Sequence, residues 1–445
     1  MVLQDIFTSG LLRVIAIGLC TLPVIAGVVI WYIFWSRSTP DRPSAKIIPE
    51  LNGLRVLLVF IVSWYHIWQQ SWWTPYVGSY SLDFLVRAGY VPVDGTILLS
   101  GFLLFLPHAR SMLLGEKIPS TREFYQKRIA RIVPSYVFVT LLMLFAVAIP
   151  YNLYSGNIGA LLKDVFMHLT FTQTFDFATY IATPIGVASW TVAIEMQAYL
   201  IFPLLARWGR KNPLGTFASM AAAALLFRSF VVWGMKDYNM VVNQLINFLD
   251  VYAMGMAASI LYVKLTTLYP ENRWRYLWQA VATVLIVLAV WGLKELLQDQ
   301  AGSSGQTEIQ AGQMIRRPLF AFLLALLTLS LPFAVRPIRF LTGNQLMGFL
   351  AMISMNYYLM HQNIAVHLKR IEFPPAENYP YPQMAVGGPE VPWKYQYTAL
   401  CFGLSVLVAI AITFLVEKPA GWALKKGFKV LNMEQDAWLK KRKQG

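Results

Sequence analysis

Apolar segments long enough to cross a bilayer recur along the whole chain, and they constrain its fold more than any other feature. Each is near the roughly 20 residues that a helix needs to cross the hydrocarbon core. Because a backbone in lipid must satisfy its polar groups internally, such segments fold as helices. The sequence therefore predicts an all-α, polytopic membrane protein with about 11 transmembrane helices, at 11–35, 52–69, 90–107, 132–150, 187–206, 215–235, 243–268, 274–297, 315–335, 345–368 and 394–416.

The composition excludes an ordinary soluble protein. Hydrophobic residues make up 57% of the chain and charged residues only 13%, whereas a soluble domain has about 25% charged residues. The segment 161–175 is shorter and more polar than the spans, and we interpret it as a loop or an interfacial helix. Cys20 and Cys401 lie in apolar runs, so neither a disulfide framework nor a metal-binding pattern is indicated.

Lysine and arginine are concentrated in alternate connecting segments, which predicts the orientation. Six segments hold 25 of them: 36–51, 108–131, 207–214, 264–276, 336–344 and 417–445. Only three lie in the intervening segments 70–89, 151–186, 236–242, 298–314 and 371–393. We therefore expect a plasma-membrane protein with its N-terminus outside and its C-terminus in the cytoplasm. The net charge of +15 then reflects topology and contact with anionic lipid, and nucleic-acid binding is disfavoured because the basic residues are dispersed.

Three regions are expected along the chain. Residues 1–47 contain an extra N-terminal transmembrane helix and a polar, proline-containing linker, 48–420 form a ten-helix core, and 421–445 form a basic cytoplasmic tail. The first span does not resemble a cleaved signal peptide, since its apolar run is too long and no small-residue cleavage site follows.

Arg55 and His66 lie within one apolar span, and ionisable residues at membrane depth are costly and usually functional. Their spacing of eleven residues is close to three helical turns, so both face the same side, about 16 Å apart along the axis. The orientation places Arg55 near the cytoplasm and His66 in the outer half of the membrane.

Asp94, Glu195 and His361 are predicted at depths similar to that of His66. Such a cluster can hold a general base with a carboxylate that orients it, and histidine suits proton transfer near neutral pH. The competing interpretation is structural, since a histidine in a span often forms a hydrogen bond between helices.

A candidate phosphate site is predicted at the cytoplasmic side, where Lys127, Arg128 and Arg131 precede a span. Arg128 and Arg131 are three residues apart and share a helical face, and the planar guanidinium group suits phosphate. With Arg55 these residues form a basic inner mouth. The alternative is that they only obey the positive-inside rule.

Other polar residues in the spans are assigned structural roles. We interpret Arg228 and Asp250 as a local pair, and we discount Arg317 because it lies at a span boundary. The small residues Ser100 and Gly101 are typical of close helix packing.

Six stretches in a fixed order resemble membrane-bound acyltransferase family 3 over residues 48–420. These stretches are LNGLRVLLVFIVSWYH (51–66), GYVPVDGTILLSGFLL (89–104), RIARIVPSY (128–136), ASWTVAIEMQAYLIFPLL (188–205), ISMNYYLMHQNI (353–364) and VEKPA (416–420). The family moves an acyl group, often acetyl, from cytoplasmic acyl-CoA to a hydroxyl of an extracytoplasmic glycan, cell-wall or lipid-linked sugar acceptor.

The resemblance implies that His66 is the catalytic histidine and that Arg55 belongs to the acyl-CoA path, with functional weight for Arg128, Arg131 and Glu195. Four further residues match motif positions without an assigned step: Ser100, Trp190, Tyr199 and His361. The hypothesis is an O-acyltransferase with His66 as general base, oriented by Asp94 or Glu195. Acyl-CoA is its donor substrate, and no permanent cofactor or metal is expected.

The sequence is also compatible with other functions. A transporter or exporter of a small anion or glycan intermediate would also combine many spans with buried charge, although no internal repeat is evident. Some family members carry an appended soluble domain; only about 29 residues follow Val416 here, so we expect either unaided transfer or a separate extracytoplasmic partner. A homo-oligomer is a further alternative.

Overall fold

The computed structural model describes residues 43–375 and 392–444, which are almost entirely helical. The predicted span 11–35 lies outside these residues. The helices are α1 (Glu50–Ser71), α2 (Asp83–Arg87), α3 (Val93–Leu114), α4 (Thr121–Met143), α5 (Ile158–Leu169), α6 (Phe177–Tyr180), α7 (Trp190–Lys211), α8 (Pro213–Gly234), α9 (Leu249–Leu268), α10 (Trp274–Gly302), α11 (Gln306–Ser330), α12 (Arg336–Gly343), α13 (Gln345–Arg370), α14 (Pro392–Ile412) and α15 (Lys418–Gln444).

Eight helical segments of the described chain are long and apolar enough to cross a membrane, which confirms the prediction of an all-α, polytopic membrane protein. They are Glu50–Ser71, Val93–Leu114, Thr121–Ala148, Pro213–Gly234, Leu245–Leu268, Trp274–Gly302, Gln306–Phe333 and Trp393–Asn432. Helices α7 and α13 have similar lengths but are not among these eight segments. Both contribute polar side chains to the site described below.

Two helices meet backbone to backbone at the centre of the protein. A Cβ atom added at Gly101 of α3 would lie 2.5 Å from the carbonyl oxygen of Tyr252, and one added at Gly255 of α9 would lie 2.2 Å from that of Leu98. Only glycine permits this approach, as is common between membrane helices. The predicted close packing at Gly101 is confirmed.

Helices α1 and α13 lie side by side and run in the same direction. The hydroxyl groups of Ser63 and Tyr357 are 2.7 Å apart, and one turn further along His66 meets His361. At the other end of the pair, Glu50 accepts a hydrogen bond of 3.1 Å from Arg339 in α12. Two polar contacts one turn apart therefore fix the register of α1 and α13 near His66, and the third ties the start of α1 to α12.

The connection between α4 and α7 contains a helix whose polar face points inward. Asp164 of α5 is buried and accepts hydrogen bonds from Tyr154 and Thr183. The apolar side chains Ile158, Leu162, Phe166 and Leu169 are exposed on the opposite face. Residues 161–169 thus form the last nine residues of a 12-residue helix, in agreement with the helical alternative for this part of the segment.

Short non-helical or distorted segments join the remaining elements. Strands β1 (Tyr76–Val77) and β2 (Tyr80–Ser81) form an antiparallel hairpin after α1, with Gly78 in the left-handed region at its turn. A π-helical segment, Leu144–Ala148, extends α4, and another, Thr413–Glu417, joins α14 to α15.

Candidate active site

A cavity of about 200 Å³ lies between five helices, α1, α3, α4, α7 and α13. Its wall is partly polar, because each of these helices presents at least one hydroxyl or charged side chain to it. Those side chains are Arg55, Thr96, Ser100, Arg128, Arg131, Thr191, Glu195, Tyr199, Ser354 and Tyr358. The cavity is therefore a polar chamber within an apolar helical protein.

Three arginines line this cavity: Arg55 from α1 and the pair Arg128 and Arg131 from α4. The spacing of three residues puts the α4 pair on one helical face, as the sequence predicted. Within the described chain, none of the three guanidinium groups makes a hydrogen bond or ion pair. Three guanidinium groups outnumber the single carboxylate of Glu195 in the cavity wall, and this excess of positive charge suits an anion with several oxygen atoms.

An aromatic wall supports one of these cations. The guanidinium carbon of Arg128 lies 5.9 Å from the ring centre of Phe124 and 5.8 Å from that of Tyr199. Cation–π contacts hold a side chain in place without neutralising its charge. Arg128 is thus positioned and still available to a ligand.

Glu195 contributes a negative charge to the same cavity. Its carboxylate accepts a hydrogen bond of 3.0 Å from Ser100 and one of 3.1 Å from Tyr199. Ser100 and Tyr199 are motif positions to which the sequence assigned no chemical step. Both form a hydrogen bond with Glu195. This carboxylate is fixed by neutral donors and not by the neighbouring arginines.

His66 and His361 are in direct contact at the interface of α1 and α13. The Nδ1 atom of His66 lies 2.8 Å from Nε2 of His361, and Nδ1 of His361 lies 2.7 Å from the carbonyl oxygen of Tyr358. His361 is completely buried, whereas His66 is half-buried. The side chain of Tyr358 lines the cavity, so one residue links the histidine pair to the arginine site.

The structure places Asp94 away from His66, so the expected hydrogen bond between them is not formed. Asp94 accepts a hydrogen bond of 2.9 Å from Arg317, which packs on the ring of Phe248. Glu195 is likewise bonded to Ser100 and Tyr199. The partner of His66 is a histidine and not a carboxylate, because α13 and not α3 faces it.

Discounting Arg317 as a boundary residue was wrong. This side chain is almost completely buried and is one member of an ion-pair network between α3, α8, α9 and α11. In the same network Arg228 donates to both carboxylate oxygens of Asp250, at 2.7 and 2.5 Å, which confirms the predicted local pair. We call the four residues Asp94, Arg228, Asp250 and Arg317 the ion-pair network.

Two other predicted residues lie outside the cavity wall. Lys127 is exposed on α4, facing away from its neighbour Arg128. Trp190 begins α7 and stacks on Phe248, with ring centres 6.3 Å apart. Trp190 therefore contacts the aromatic ring that packs on Arg317, and it has a structural link to the ion-pair network.

Several polar residues of the site were not singled out in the sequence. Thr96, Ser354 and Tyr358 line the cavity, and Asn356 donates a hydrogen bond of 2.6 Å to Glu417 in the π-helical segment. Ser354, Asn356 and Tyr358 lie in the stretch 353–364. The resemblance of that stretch to a family motif is the sequence signal that could have identified them. Among the described residues, no group of His, Cys, Asp and Glu side chains is placed to hold a metal ion.

These features define a multi-pass, all-α membrane protein with an arginine-lined cavity next to a histidine pair. Residues 48–418 match the sequence profile of a family described as an acyltransferase domain. This match covers most of the chain, and the chain belongs to that acyltransferase family. No solved structure matches the chain significantly.

Curated relatives resemble only part of the chain. A peptidoglycan O-acetyltransferase, OatA, of Listeria monocytogenes is 28% identical over 39% of this chain and 26% of its own length. The acyltransferase MdmB of Streptomyces mycarofaciens is 29% identical over 42% of this chain and 48% of its own. An O-acetyltransferase OatA of Staphylococcus aureus is 26% identical over 36% and 25%. The chain thus spans about a quarter to a half of the length of these relatives.

Proposed function

We propose that this protein is an O-acetyltransferase that moves an acetyl group from cytoplasmic acetyl-CoA to a hydroxyl of an extracytoplasmic glycan, cell-wall or lipid-linked sugar acceptor. The observation that carries the proposal is the cavity with three arginines that make no hydrogen bond or ion pair within the described chain, one of which lies on the helix that bears His66. Membership in the acyltransferase family supports the reaction class.

The donor site is assigned to Arg55, Arg128 and Arg131. Coenzyme A carries a pyrophosphate and a further phosphate, which match a cluster of guanidinium groups. The cavity of about 200 Å³ is smaller than the 300–1,000 Å³ typical of sites that enclose a ligand. It can therefore hold only part of the donor, and the rest of coenzyme A extends toward the cytoplasm.

The chemical step uses His66 as general base. Its imidazole takes the proton of the acceptor hydroxyl while the oxygen attacks the thioester carbonyl carbon. A C–O bond forms, the C–S bond breaks, and the proton returns to the departing thiolate, which leaves as coenzyme A. A positioned base of this kind contributes about 10²- to 10⁴-fold to the rate.

The orientation completes the path. With the N-terminus outside, α1 and α13 run from the cytoplasm outward, which places Arg55 toward the donor and His66 toward the acceptor. The parallel packing of α1 and α13 supports this arrangement, because the predicted topology requires both spans to run in one direction.

The acceptor class is inferred from the relatives and from the outer segments. The Listeria relative is named a peptidoglycan O-acetyltransferase. The segments 70–89 and 151–186 of this chain are rich in Trp, Tyr and Phe, whose faces suit sugar rings. A separate extracytoplasmic partner or a second copy of the chain is proposed to assist acceptor binding where transfer by the single chain is slow.

The test is acetyl transfer by purified protein in lipid nanodiscs with radiolabelled acetyl-CoA and a cell-wall glycan extract. His66→Ala is expected to lower transfer at least about 10²-fold, with the elution profile of the folded protein unchanged. The matched control is His367→Gln, at the end of α13, which is expected to keep full activity. Full transfer by His66→Ala refutes the proposal, and glycan or anion movement without thiol release favours a transporter.

A further inference from the structure

The hydrogen bond between His66 and His361 requires one ring to donate and the other to accept. Which ring donates follows from the second hydrogen bond of His361, to the backbone of Tyr358. A backbone carbonyl oxygen can only accept, so the Nδ1 atom of His361, 2.7 Å from the oxygen of Tyr358, must carry a proton.

Burial then decides the state of the second nitrogen of His361. The side chain is completely buried, and no carboxylate of the described chain is bonded to either ring. A charged imidazolium in that position would lack a counter-charge, which is expensive in a protein interior. His361 is therefore neutral with its proton on Nδ1, and its Nε2 atom is an acceptor.

His66 must then donate from Nδ1, across the distance of 2.8 Å. A neutral imidazole carries one proton, so the Nε2 atom of His66 keeps a free lone pair. Within the described chain, no residue is bonded to that atom. The nitrogen that can accept a proton is thus the one directed away from His361.

We infer that His361 is a positioning residue that fixes His66 in the Nδ1-protonated tautomer and thereby makes Nε2 of His66 the proton acceptor. This inference rests on the proposed function, and it assigns to His361 the part that a carboxylate plays in a serine-hydrolase triad. Unlike a carboxylate, the neutral His361 selects the tautomer without adding a negative charge beside the imidazolium that forms.

Two further contacts keep His361 in place. Its ring is nearly parallel to that of Tyr357, with an angle of 9° and ring centres 6.0 Å apart. The hydroxyl of Tyr357 is in turn 2.7 Å from that of Ser63, one turn before His66 on α1. His361 is therefore bonded at both ring nitrogens, and a second polar contact joins the two helices one turn away.

Two substitutions separate positioning from packing. In His361→Asn, the amide nitrogen can occupy the place of Nδ1 and keep the bond to Tyr358, but no atom replaces Nε2. In His361→Gln, the longer side chain brings an amide oxygen close to the place of Nε2, where it can accept from His66. Both variants have similar polarity, so a difference between them reports the acceptor.

For His361→Asn we expect kcat to fall about 10- to 100-fold with the KM for acetyl-CoA unchanged, because the donor site lies elsewhere. His361→Gln is expected to recover at least about tenfold of that loss. A KM increase that accounts for the whole effect, or equal activity of the two variants, overturns the inference. If His361→Asn does not fold, His361→Gln is compared with the wild type. The inference then requires that His361→Gln has the same KM for acetyl-CoA as the wild type.

Nitrogen-15 NMR of histidine-labelled protein in nanodiscs provides a readout that packing alone does not move. The chain has five histidines, so the His66 signals can be assigned by difference with His66→Ala. We expect a protonated Nδ1 and an unprotonated Nε2 in the wild type, and a mixture of tautomers in His361→Asn. The opposite tautomer in the wild type refutes the inference even when His66→Ala abolishes transfer. Failure of the inference can therefore be distinguished from failure of the proposed function.

Discussion

The cavity and the ion-pair network both place arginines inside the membrane-embedded protein, but they balance the charge differently. In the network, Arg317 is bonded to Asp94, and Arg228 is bonded to Asp250. In the cavity, Arg55, Arg128 and Arg131 have no such partner within the described chain. The arginines of the network are buried and paired with carboxylates, which stabilises the fold, whereas Arg55 and Arg128 are half-buried and Arg131 is exposed, so that these three guanidinium groups remain accessible to a ligand.

The largest effect is expected from breaking the network. Arg317→Ala leaves Asp94 buried and uncompensated, which should cost about 3–5 kcal/mol of stability. The measurement is the unfolding midpoint in nanodiscs together with the yield of monodisperse protein. An Asp94→Leu/Arg317→Met double variant removes both charges and is expected to recover most of the loss. A single variant as stable as the wild type would remove the distinction between the two regions.

Neutralising the cavity pair should instead affect binding. Arg128→Gln/Arg131→Gln is expected to raise the Kd for acetyl-CoA at least about tenfold, or about 1.4 kcal/mol, while the protein stays folded. Thermal shift reports this directly, since a donor at a hundred times Kd stabilises the wild type by about 2.7 kcal/mol. Lys127→Gln is the matched control, because Lys127 is on the same helix but outside the cavity wall, and it should bind normally.

A smaller effect on stability is expected at Arg55. Its guanidinium group makes no hydrogen bond or ion pair within the described chain, but the carboxylate of Glu195 in the same cavity attracts it, so Arg55→Gln should lower the stability of the ligand-free protein by no more than about 1 kcal/mol. The same variant should lose acetyl-CoA binding in the thermal-shift measurement. Clear destabilisation of the ligand-free protein would mean that Arg55 serves the fold.

An exposed ion pair in the connection between α4 and α7 gives a reference value for the other two sites. Lys163 donates a hydrogen bond of 2.7 Å to Asp176, and its ammonium lowers the pKa of that carboxyl. The stabilisation is therefore present above the unfolded-state pKa of about 3.9 and is lost as pH falls through the lower folded value. Lys163→Ala should cost less than about 1 kcal/mol at pH 7 and nothing once Asp176 is protonated, as unfolding curves at several pH values will show.

Sequence reasoning located the helices well because membrane spans leave a strong local signal. The described helices cover the predicted spans from 52–69 to 394–416, apart from shifts at their ends. The grouping of Arg55, Arg128 and Arg131 was also predictable. Helical spacing puts Arg128 and Arg131 on one helical face, and the predicted topology puts all three arginines on one side of the membrane. Their roles, like those of His66 and Glu195, stay predictions.

The partners of the polar residues could not be predicted in the same way. Depth along the membrane was estimated from topology, but it does not say which helices are neighbours. Asp94 and His66 were placed at similar depths, yet α3 turns Asp94 toward α11 and α13 supplies His361 to His66. Arg317 was overlooked for the same reason, because its burial depends on α3 and α9.

The glycine contact between α3 and α9 has a consequence for how the cavity opens. With backbone against backbone at Gly101 and Gly255, these helices cannot slide past each other and must move as a rigid body. Ser100, next to Gly101, holds Glu195 from this body, so one side of the chamber is stationary. For the donor site proposed at Arg55, Arg128 and Arg131, we therefore expect the widening that admits a ligand to come from α1, α4 or α13, which form the rest of the cavity wall.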